Sequence, residues 1–166
     1  QEKKKVIVSS TGSGKSLIQF LVAVLIAKIK KTNVLMIVPT INLVDQMYTD
    51  FLEYSNGEIE DSMHRIFSGQ SKTAAPITIS TWQSLQDIDK KFFQNFGAVL
   101  VDECHLSEAK ELTNIVNNCN KCEFKLGMSG SLKNSKVSKL YLSIFLITRN
   151  GHIKKNPFRM IPLFTG

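Results

Sequence analysis

Short apolar runs alternate along the chain with longer stretches in which apolar residues recur every three or four positions. The short β-branched runs are typical of buried strands, and the longer spacing is typical of helices that pack one face on a sheet. Strands are predicted at Val6–Val8, Val34–Val38, Ile77–Ile79, Ala98–Val101 and Lys125–Met128. Helices are predicted at Lys15–Lys30, Asn42–Tyr54 and Leu106–Asn118, with an interrupted helical stretch over Trp82–Phe96 and a polar loop after Tyr54. This alternation predicts an α/β fold of three layers, in which helices flank a mostly parallel central sheet.

The size and composition fit one globular domain, because the chain has 166 residues of which 43 % are hydrophobic and 21 % are charged. Three cysteines are too few for a disulfide framework, and they favour a reducing compartment such as the cytoplasm. The segment Leu17–Ile29 is strongly apolar but shorter than the roughly 20 residues that cross a bilayer. We therefore expect a buried helix there and no membrane partner, and the N-terminus shows no signal-peptide pattern.

The positive charge is concentrated at the C-terminal end. The net charge is +7, and all seven charged residues after Leu132 are basic. Two interpretations stay open: a strip that attracts nucleic-acid phosphates, or a solvated tail whose acidic partners lie elsewhere. We therefore divide the chain into a domain over residues 1–132 and a basic extension, or start of an interdomain linker, over residues 133–166.

A glycine-rich turn lies between the first predicted strand and the first predicted helix. Residues 9–16 read Ser-Ser-Thr-Gly-Ser-Gly-Lys-Ser, and a turn of this kind in this setting is typical of a phosphate-binding P-loop. Its backbone N–H groups and the helix dipole attract phosphate oxygens. We expect Lys15 to contact the β- and γ-phosphates and Ser16 to ligate Mg²⁺. The candidate nucleotide-binding residues are Thr11, Gly12, Ser13, Gly14, Lys15 and Ser16. Ser9 replaces the first glycine of the general pattern.

Two carboxylates follow the predicted strand Ala98–Val101. In an open α/β sheet, ligands bind at the carboxyl ends of the strands. Asp102 is expected to hold Mg²⁺ largely through water, and Glu103 is expected to orient and deprotonate the water that attacks the γ-phosphate. The predicted catalytic set is therefore Lys15, Asp102 and Glu103, and it requires that Lys15 and the two carboxylates meet in space.

Four motifs in order resemble those of superfamily 2 helicases. Motif I is at residues 9–16, motif Ia at Pro39-Thr40 with Leu43 and Gln46, motif II at residues 102–105 in the form Asp-Glu-Cys-His, and motif III at residues 129–131. That family tolerates alanine at the position of Ser9. The resemblance covers about residues 5–132. It is closer still to the UvsW-type helicases of tailed phages, through Thr81-Trp82-Gln83 and residues 124–132.

The resemblance implies the RecA-like fold of an N-terminal helicase motor domain that couples ATP hydrolysis, with Mg²⁺, to movement on nucleic acid. It implies a nucleic-acid partner, DNA in preference to RNA although the sequence does not choose between them. It also implies the bacterial host cytoplasm as the location and a second RecA-like domain for which 166 residues leave no room. Because that second domain supplies an arginine to the reaction, we expect the isolated chain to hydrolyse ATP weakly or not at all.

The resemblance also implies roles for individual residues. Thr40, Thr81 and Gln83 would contact the sugar–phosphate backbone, and His105, Ser129 and Ser131 would link the nucleotide site to the bound strand. Trp82 is interpreted as a core residue in preference to a base-stacking residue.

Two other functions stay open on the sequence alone. One is a P-loop kinase for a small acceptor, although the chain has only three arginines and no arginine-rich lid. The other is a module that binds nucleic acid without turnover. Cys119 and Cys122 form a C-x-x-C pair, but the other half of a zinc site is missing, and no zinc is expected.

Overall fold

The computed structural model describes residues 3–8, 14–67, 71–102 and 109–129. Its strands are β1 (Lys3–Val8), β2 (Asn33–Val38), β3 (Met63–Ile66), β4 (Ile77–Thr81), β5 (Phe96–Asp102) and β6 (Phe124–Ser129). Its helices are α1 (Lys15–Lys30), α2 (Ile41–Tyr54), α3 (Trp82–Leu85) and α4 (Ala109–Asn118), with 3₁₀ turns at Glu60–Ser62 and Phe92–Asn95. The predicted start of α4 at Leu106 falls outside the described residues.

The strands form one six-stranded sheet in the order β1-β6-β5-β2-β4-β3. Every strand pairing among the described residues is parallel. Parallel strands end at the same edge of a sheet, so the segments that follow β1, β2, β4 and β5 all begin at one edge. The predicted α/β architecture is confirmed, and this shared edge holds every candidate site residue that the structure describes.

Helices cover both faces of the sheet, which makes three layers. Alternate residues of β2 face opposite sides, so that Val34 and Met36 join one core cluster and Leu35 and Ile37 join the other. The first cluster lies under α1 and α2 and contains Phe20, Val44 and Phe51 from these helices. The second lies under α3 and α4 and contains Leu85, Leu112, Ile115 and Val116. Because β2 and β5 are covered on both faces, they have continuous apolar sequences, as buried parallel strands do.

The prediction that Leu17–Ile29 is a buried helix is wrong for one face of α1. Leu17, Leu21, Leu25 and Ile29 recur at intervals of four and are 43–69 % exposed. Residues at that spacing lie on one face of a helix, and α1 turns its opposite face, with Phe20 and Ala23, toward the sheet. In the described part of the chain, none of the helices has both the length and the apolar character that a membrane span needs.

The edge strand β3 lies where the sequence predicts a polar loop. Met63 and Ile66 are buried, but His64 and Arg65 between them are only partly buried. A half-buried strand is usually recognised by the alternation of apolar and polar residues, and residues 63–66 do not alternate in this way. The interrupted stretch after β4 is confirmed as the short helix α3 followed by a 3₁₀ turn.

Candidate nucleotide and nucleic-acid sites

Lys15 and Asp102 meet at the carboxyl edge of the sheet. The Nζ atom of Lys15 lies 3.3 Å from Oδ1 of Asp102, and the two side chains are only 16 % and 10 % exposed. Lys15 is the first residue of α1, the helix that follows β1, and Asp102 is the last residue of β5. In the sheet, β6 lies between β1 and β5, so the two residues are close at the edge where these parallel strands end. A buried carboxylate needs a cationic partner, and Lys15 provides it. The structure thus places one lysine and one of the two predicted carboxylates around a common point.

Gly14 turns the chain into α1 with a left-handed backbone, at φ 73° and ψ 25°. Residues with a Cβ rarely adopt this conformation, which explains a glycine at this position. Among the described residues no side chain caps the N-terminus of α1, and its first turn contains no acidic residue. The first N–H groups of a helix have no acceptor within the helix, so they are suited to an anion. Thr11, Gly12 and Ser13 lie outside the described residues.

The hydroxyl of Ser16 contacts two side chains of α2. Its Oγ atom donates a hydrogen bond of 2.7 Å to Oδ2 of Asp50. The Tyr54 hydroxyl donates a longer bond of 3.4 Å to the same oxygen. Sequence reasoning missed the site role of both α2 residues, because nothing distinguishes them from other positions of an amphipathic helix and they lie 34 and 38 positions from Ser16.

The predicted Mg²⁺ ligands have the right chemistry for that ion. Ser16 supplies a hydroxyl oxygen and Asp102 a carboxylate oxygen, and hard oxygen donors are those that Mg²⁺ prefers. Ser16 follows Lys15 in the first turn of α1, and Asp102, which ends β5, contacts Lys15. The donor set therefore fits the ion that the sequence implies.

Thr40, Thr81 and Gln83, the three predicted nucleic-acid residues, line a single cavity of about 720 Å³. Thr40 follows β2 and Thr81 ends β4, and these strands are neighbours in register, with Val38 opposite Thr81. The described lining residues are Pro39, Thr40, Ile41, Asn42, Ile66, Phe67, Lys72, Thr81, Gln83, Ser84 and Asp87. Neighbouring parallel strands therefore bring together three residues that the sequence separates.

Both threonines of the cavity begin helices. Thr40 Oγ1 accepts a hydrogen bond of 3.3 Å from the Leu43 backbone N–H, which caps α2. Thr81 Oγ1 accepts one of 3.2 Å from the Ser84 N–H, which caps α3. The N-terminus of α2 thus lies at the cavity, and the positive end of its dipole favours an anion there.

Sequence reasoning missed Lys72, the only cation among the described residues that line the cavity. The preceding residue, Ser71, is held to β3, because its carbonyl oxygen lies 2.8 Å from Nε2 of His64. A lysine on a surface loop has no sequence pattern that distinguishes it from other solvated lysines. Its position beside the end of β3 depends on an edge strand that was also missed.

Several predicted residues cannot be placed. Glu103 and His105 lie in the segment 103–108, and Ser131 lies in 130–166, all outside the described residues. Ser129 ends β6, opposite Val8 of β1, so its backbone lies at the edge that carries Lys15 and Asp102. The basic extension over 133–166 is likewise outside the described part. Trp82 packs against the second core cluster, as its interpretation as a core residue requires.

The two cysteines of the C-x-x-C pair are free and buried. The Cys122 thiol donates to the carbonyl oxygen of Phe96 over 3.3 Å. A hydrogen bond with Cys122 and burial together raise the pKa of the Cys119 thiol far above its ordinary value. Within residues 3–8, 14–67, 71–102 and 109–129, no group of three or more His, Cys, Asp or Glu side chains is arranged to hold a metal ion. The pair serves the second core cluster, where both thiols pack.

Comparison with known proteins relates this chain to the helicases. Residues 1–134 match the family described as "Type III restriction enzyme, res subunit". The chain is 36 % identical to the ATP-dependent DNA helicase UvsW of Enterobacteria phage T4, over an alignment of 152 residues that covers 86 % of this chain and 30 % of that protein. The chain therefore spans about 30 % of the length of this relative.

Solved structures agree with this relationship. A crystal structure of T4 UvsW matches 86 % of this chain and 30 % of its own chain, with a TM-score of 0.77 and 34 % identity. A hypothetical ATP-dependent RNA helicase from Sulfolobus tokodaii matches 86 % of this chain and 46 % of its own, with a TM-score of 0.69 and 20 % identity, which shows the shared fold alone. By the match over residues 1–134, the chain belongs to the type III restriction enzyme res-subunit family, and it is a RecA-like helicase domain of superfamily 2.

Proposed function

We propose that this chain is the ATP-binding motor domain of a DNA helicase, which hydrolyses ATP to move on or unwind DNA when it is paired with a second RecA-like domain. The observation that carries the proposal is the 3.3 Å contact between Lys15 and Asp102. These two residues come from distant segments, and each belongs to a motif that such chemistry requires. The family match does not favour the alternative of a small-molecule kinase.

In this proposal the residues at the edge of β1 and β5 bind the triphosphate and prepare water for attack. Lys15 neutralises the β- and γ-phosphates, which residues 11–14 also bind. Ser16 and Asp102 would hold Mg²⁺, in large part through water, and the bound ion would offset the negative charge that develops on the phosphates. Glu103 orients the attacking water and accepts its proton.

The rate is expected to depend on an arginine from the second domain. Of the three arginines of this chain, Arg65 is already paired with Asp45 at 2.7 Å and lies over the Tyr48 ring at 4.3 Å. That pairing holds Arg65 against two side chains of α2. An arginine supplied from another domain contributes roughly 10³–10⁵ in rate in comparable systems.

The cavity at the ends of β2 and β4 is proposed to hold the sugar–phosphate backbone of DNA. Thr40, Thr81 and Gln83 line it, the N-terminus of α2 points to it, and Lys72 adds positive charge. Contacts of this kind position a strand without reading its sequence. In the same proposal His105, Ser129 and Ser131 transmit the state of the nucleotide to the strand.

The test measures binding of a fluorescent ATP analogue and then the ATPase rate of the 166-residue chain. Rates are compared without nucleic acid, with single-stranded or branched DNA, and with RNA. We expect Lys15→Ala to weaken nucleotide binding by about tenfold or more, because it removes the charge that meets the phosphates. We expect Glu103→Gln to leave binding intact and to abolish any hydrolysis that DNA stimulates.

The matched control is Lys28→Ala, which removes an exposed lysine from the last turn of the same helix. If Lys28→Ala and Lys15→Ala bind the analogue equally well, the proposed nucleotide site is wrong. Transfer of phosphate to a small acceptor would indicate a kinase. Strand binding by a chain that never turns over ATP, even when a second RecA-like domain is supplied, would indicate a binding module.

A further inference from the structure

The Ser16 hydroxyl is held by α2 beside the aromatic contacts that join α1 to α2. Asp50 accepts its proton at 2.7 Å, and the Asp50 side chain is part-buried. Directly beside this bond, the Phe20 ring packs on Phe51 with centroids 5.3 Å apart and on Tyr54 with centroids 5.5 Å apart. The aromatic contacts fix the spacing of the two helices, so the short hydrogen bond is a consequence of packing in the core.

This hydrogen bond decides which part of the Ser16 hydroxyl faces a ligand. A hydroxyl has one proton and two lone pairs. With the proton donated to Asp50, a lone pair is left for a cation, whereas a freely rotating hydroxyl would have to be ordered when the cation binds. A carboxylate that accepts the proton of a metal ligand also makes that ligand a better donor, and loss of such a partner typically costs 10–100-fold in metal affinity.

We propose that Asp50 is a positioning residue for the magnesium-bound nucleotide: it orients the Ser16 hydroxyl and strengthens its oxygen as a ligand. The inference rests on the proposed role of Ser16 and adds a residue that belongs to none of the four motifs. Tyr54 has a smaller part, because its 3.4 Å bond to the same oxygen is long and engages one lone pair only.

Asp50 lies on the helix whose N-terminus is at the cavity. The N-cap of the same helix is Thr40, which lines the cavity proposed for DNA. Ten residues of helix span about 15 Å. Val44, Met47 and Phe51 anchor α2 in the first core cluster. A single helix therefore contacts the proposed Mg²⁺ ligand near one end and the cavity at the other.

The test is equilibrium binding of a fluorescent ATP analogue to the 166-residue chain, measured across a Mg²⁺ titration and again in EDTA. We expect Asp50→Ala to weaken the Mg²⁺-dependent affinity by about tenfold and to leave the affinity in EDTA nearly unchanged. Asp50→Asn keeps an acceptor oxygen without the charge, so we expect an intermediate value. A purely structural role would lower both affinities together.

The matched control is Glu53→Ala, which removes an exposed carboxylate from the same end of α2 and so changes the net charge equally. If Asp50→Ala lowers the melting temperature, Asp50→Asn decides the test in its place. The inference is overturned if the Asp50 variants and Glu53→Ala respond identically to Mg²⁺ while wild type binds the nucleotide better than Lys15→Ala does. If wild type binds no better than Lys15→Ala, the proposed nucleotide site itself fails, and the inference fails with it.

Discussion

Cys119 shows how a hydrogen bond and burial together change the chemistry of a side chain. Its thiol is fully buried, hydrogen-bonded to Cys122, and its pKa is raised well above the ordinary value of 9.0. The thiolate is the reactive form of cysteine, so a thiol that keeps its proton in an apolar core is inert. The C-x-x-C spacing is half of a zinc-site pattern, whereas the burial of both thiols in the second core cluster gives the pair a packing role.

The raised pKa predicts a specific pH dependence of stability. The folded thiol keeps its proton to higher pH than the unfolded thiol, so unfolding releases a proton once the pH exceeds about 9.0. This group therefore leaves the free energy of unfolding unchanged below pH 9 and lowers it as the pH rises above that value. Urea denaturation between pH 7 and pH 10.5 checks this by comparison with Cys119→Ala, whose stability should fall less steeply above pH 9. Parallel curves would contradict the prediction.

At the scale of the elements, Gly97 allows the close approach of β5 to the segment that enters β2. A Cβ atom at this position would overlap Oγ1 of Thr32 and lie 2.8 Å from its Cγ2. The register between β2 and β5 shifts at the same place, between Asn33 and Val34. The glycine thus permits an irregular pairing at the start of two central strands.

We expect Gly97→Ala to lower the free energy of unfolding by about 1–3 kcal/mol, because the added methyl group forces Thr32 or the strand to move. Chemical denaturation measures the loss. The double variant with Thr32→Ala lacks the two nearest atoms and should recover part of it. An unchanged stability for Gly97→Ala would show that the strands approach less closely than the structure indicates.

The spacing of apolar residues predicts those helices and strands whose buried positions recur regularly along their own sequence. The bounds of α1 are those predicted, and β2 begins one residue earlier than predicted. β3 was missed because the charge of Arg65 in its middle is paired with another element, which the sequence of the strand does not show. Arg65 pairs with Asp45 and lies over the Tyr48 ring, and both residues belong to α2. The exposed apolar face of α1 was missed for a similar reason, since an apolar composition does not say which side a sheet will cover.

At the scale of the whole molecule, the sheet order assembles two sites along one edge. The strand pair β2 and β4 forms the cavity, and the trio β1, β6 and β5 brings Lys15 to Asp102. The helix α2 extends from one site to the other through Thr40 and Asp50. This arrangement makes the charge of Lys72 relevant to any strand that lies in the cavity.

We expect Lys72→Ala to reduce the salt dependence of binding to a single-stranded oligodeoxynucleotide. Loss of one phosphate contact lowers the slope of log affinity against log salt concentration by roughly 0.7 for a single strand. Fluorescence anisotropy between 50 and 200 mM salt measures the slope. Lys110→Ala, which removes an exposed lysine of α4 outside the cavity, is the control. Equal slopes for the two variants would exclude Lys72 from the binding surface.

Local sequence patterns are enough to predict the main strands and helices, the glycine-rich segment that precedes α1 and the acidic residue that ends β5. These features depend on residues a few positions apart, through side-chain periodicity and turn chemistry. Three features emerge only in the folded chain: the contact of Lys15 with Asp102, the hydrogen bond from Ser16 to Asp50, and the cavity shared by Thr40, Thr81, Gln83 and Lys72. Those contacts depend on strand order and helix packing, which the whole core selects and no local pattern encodes.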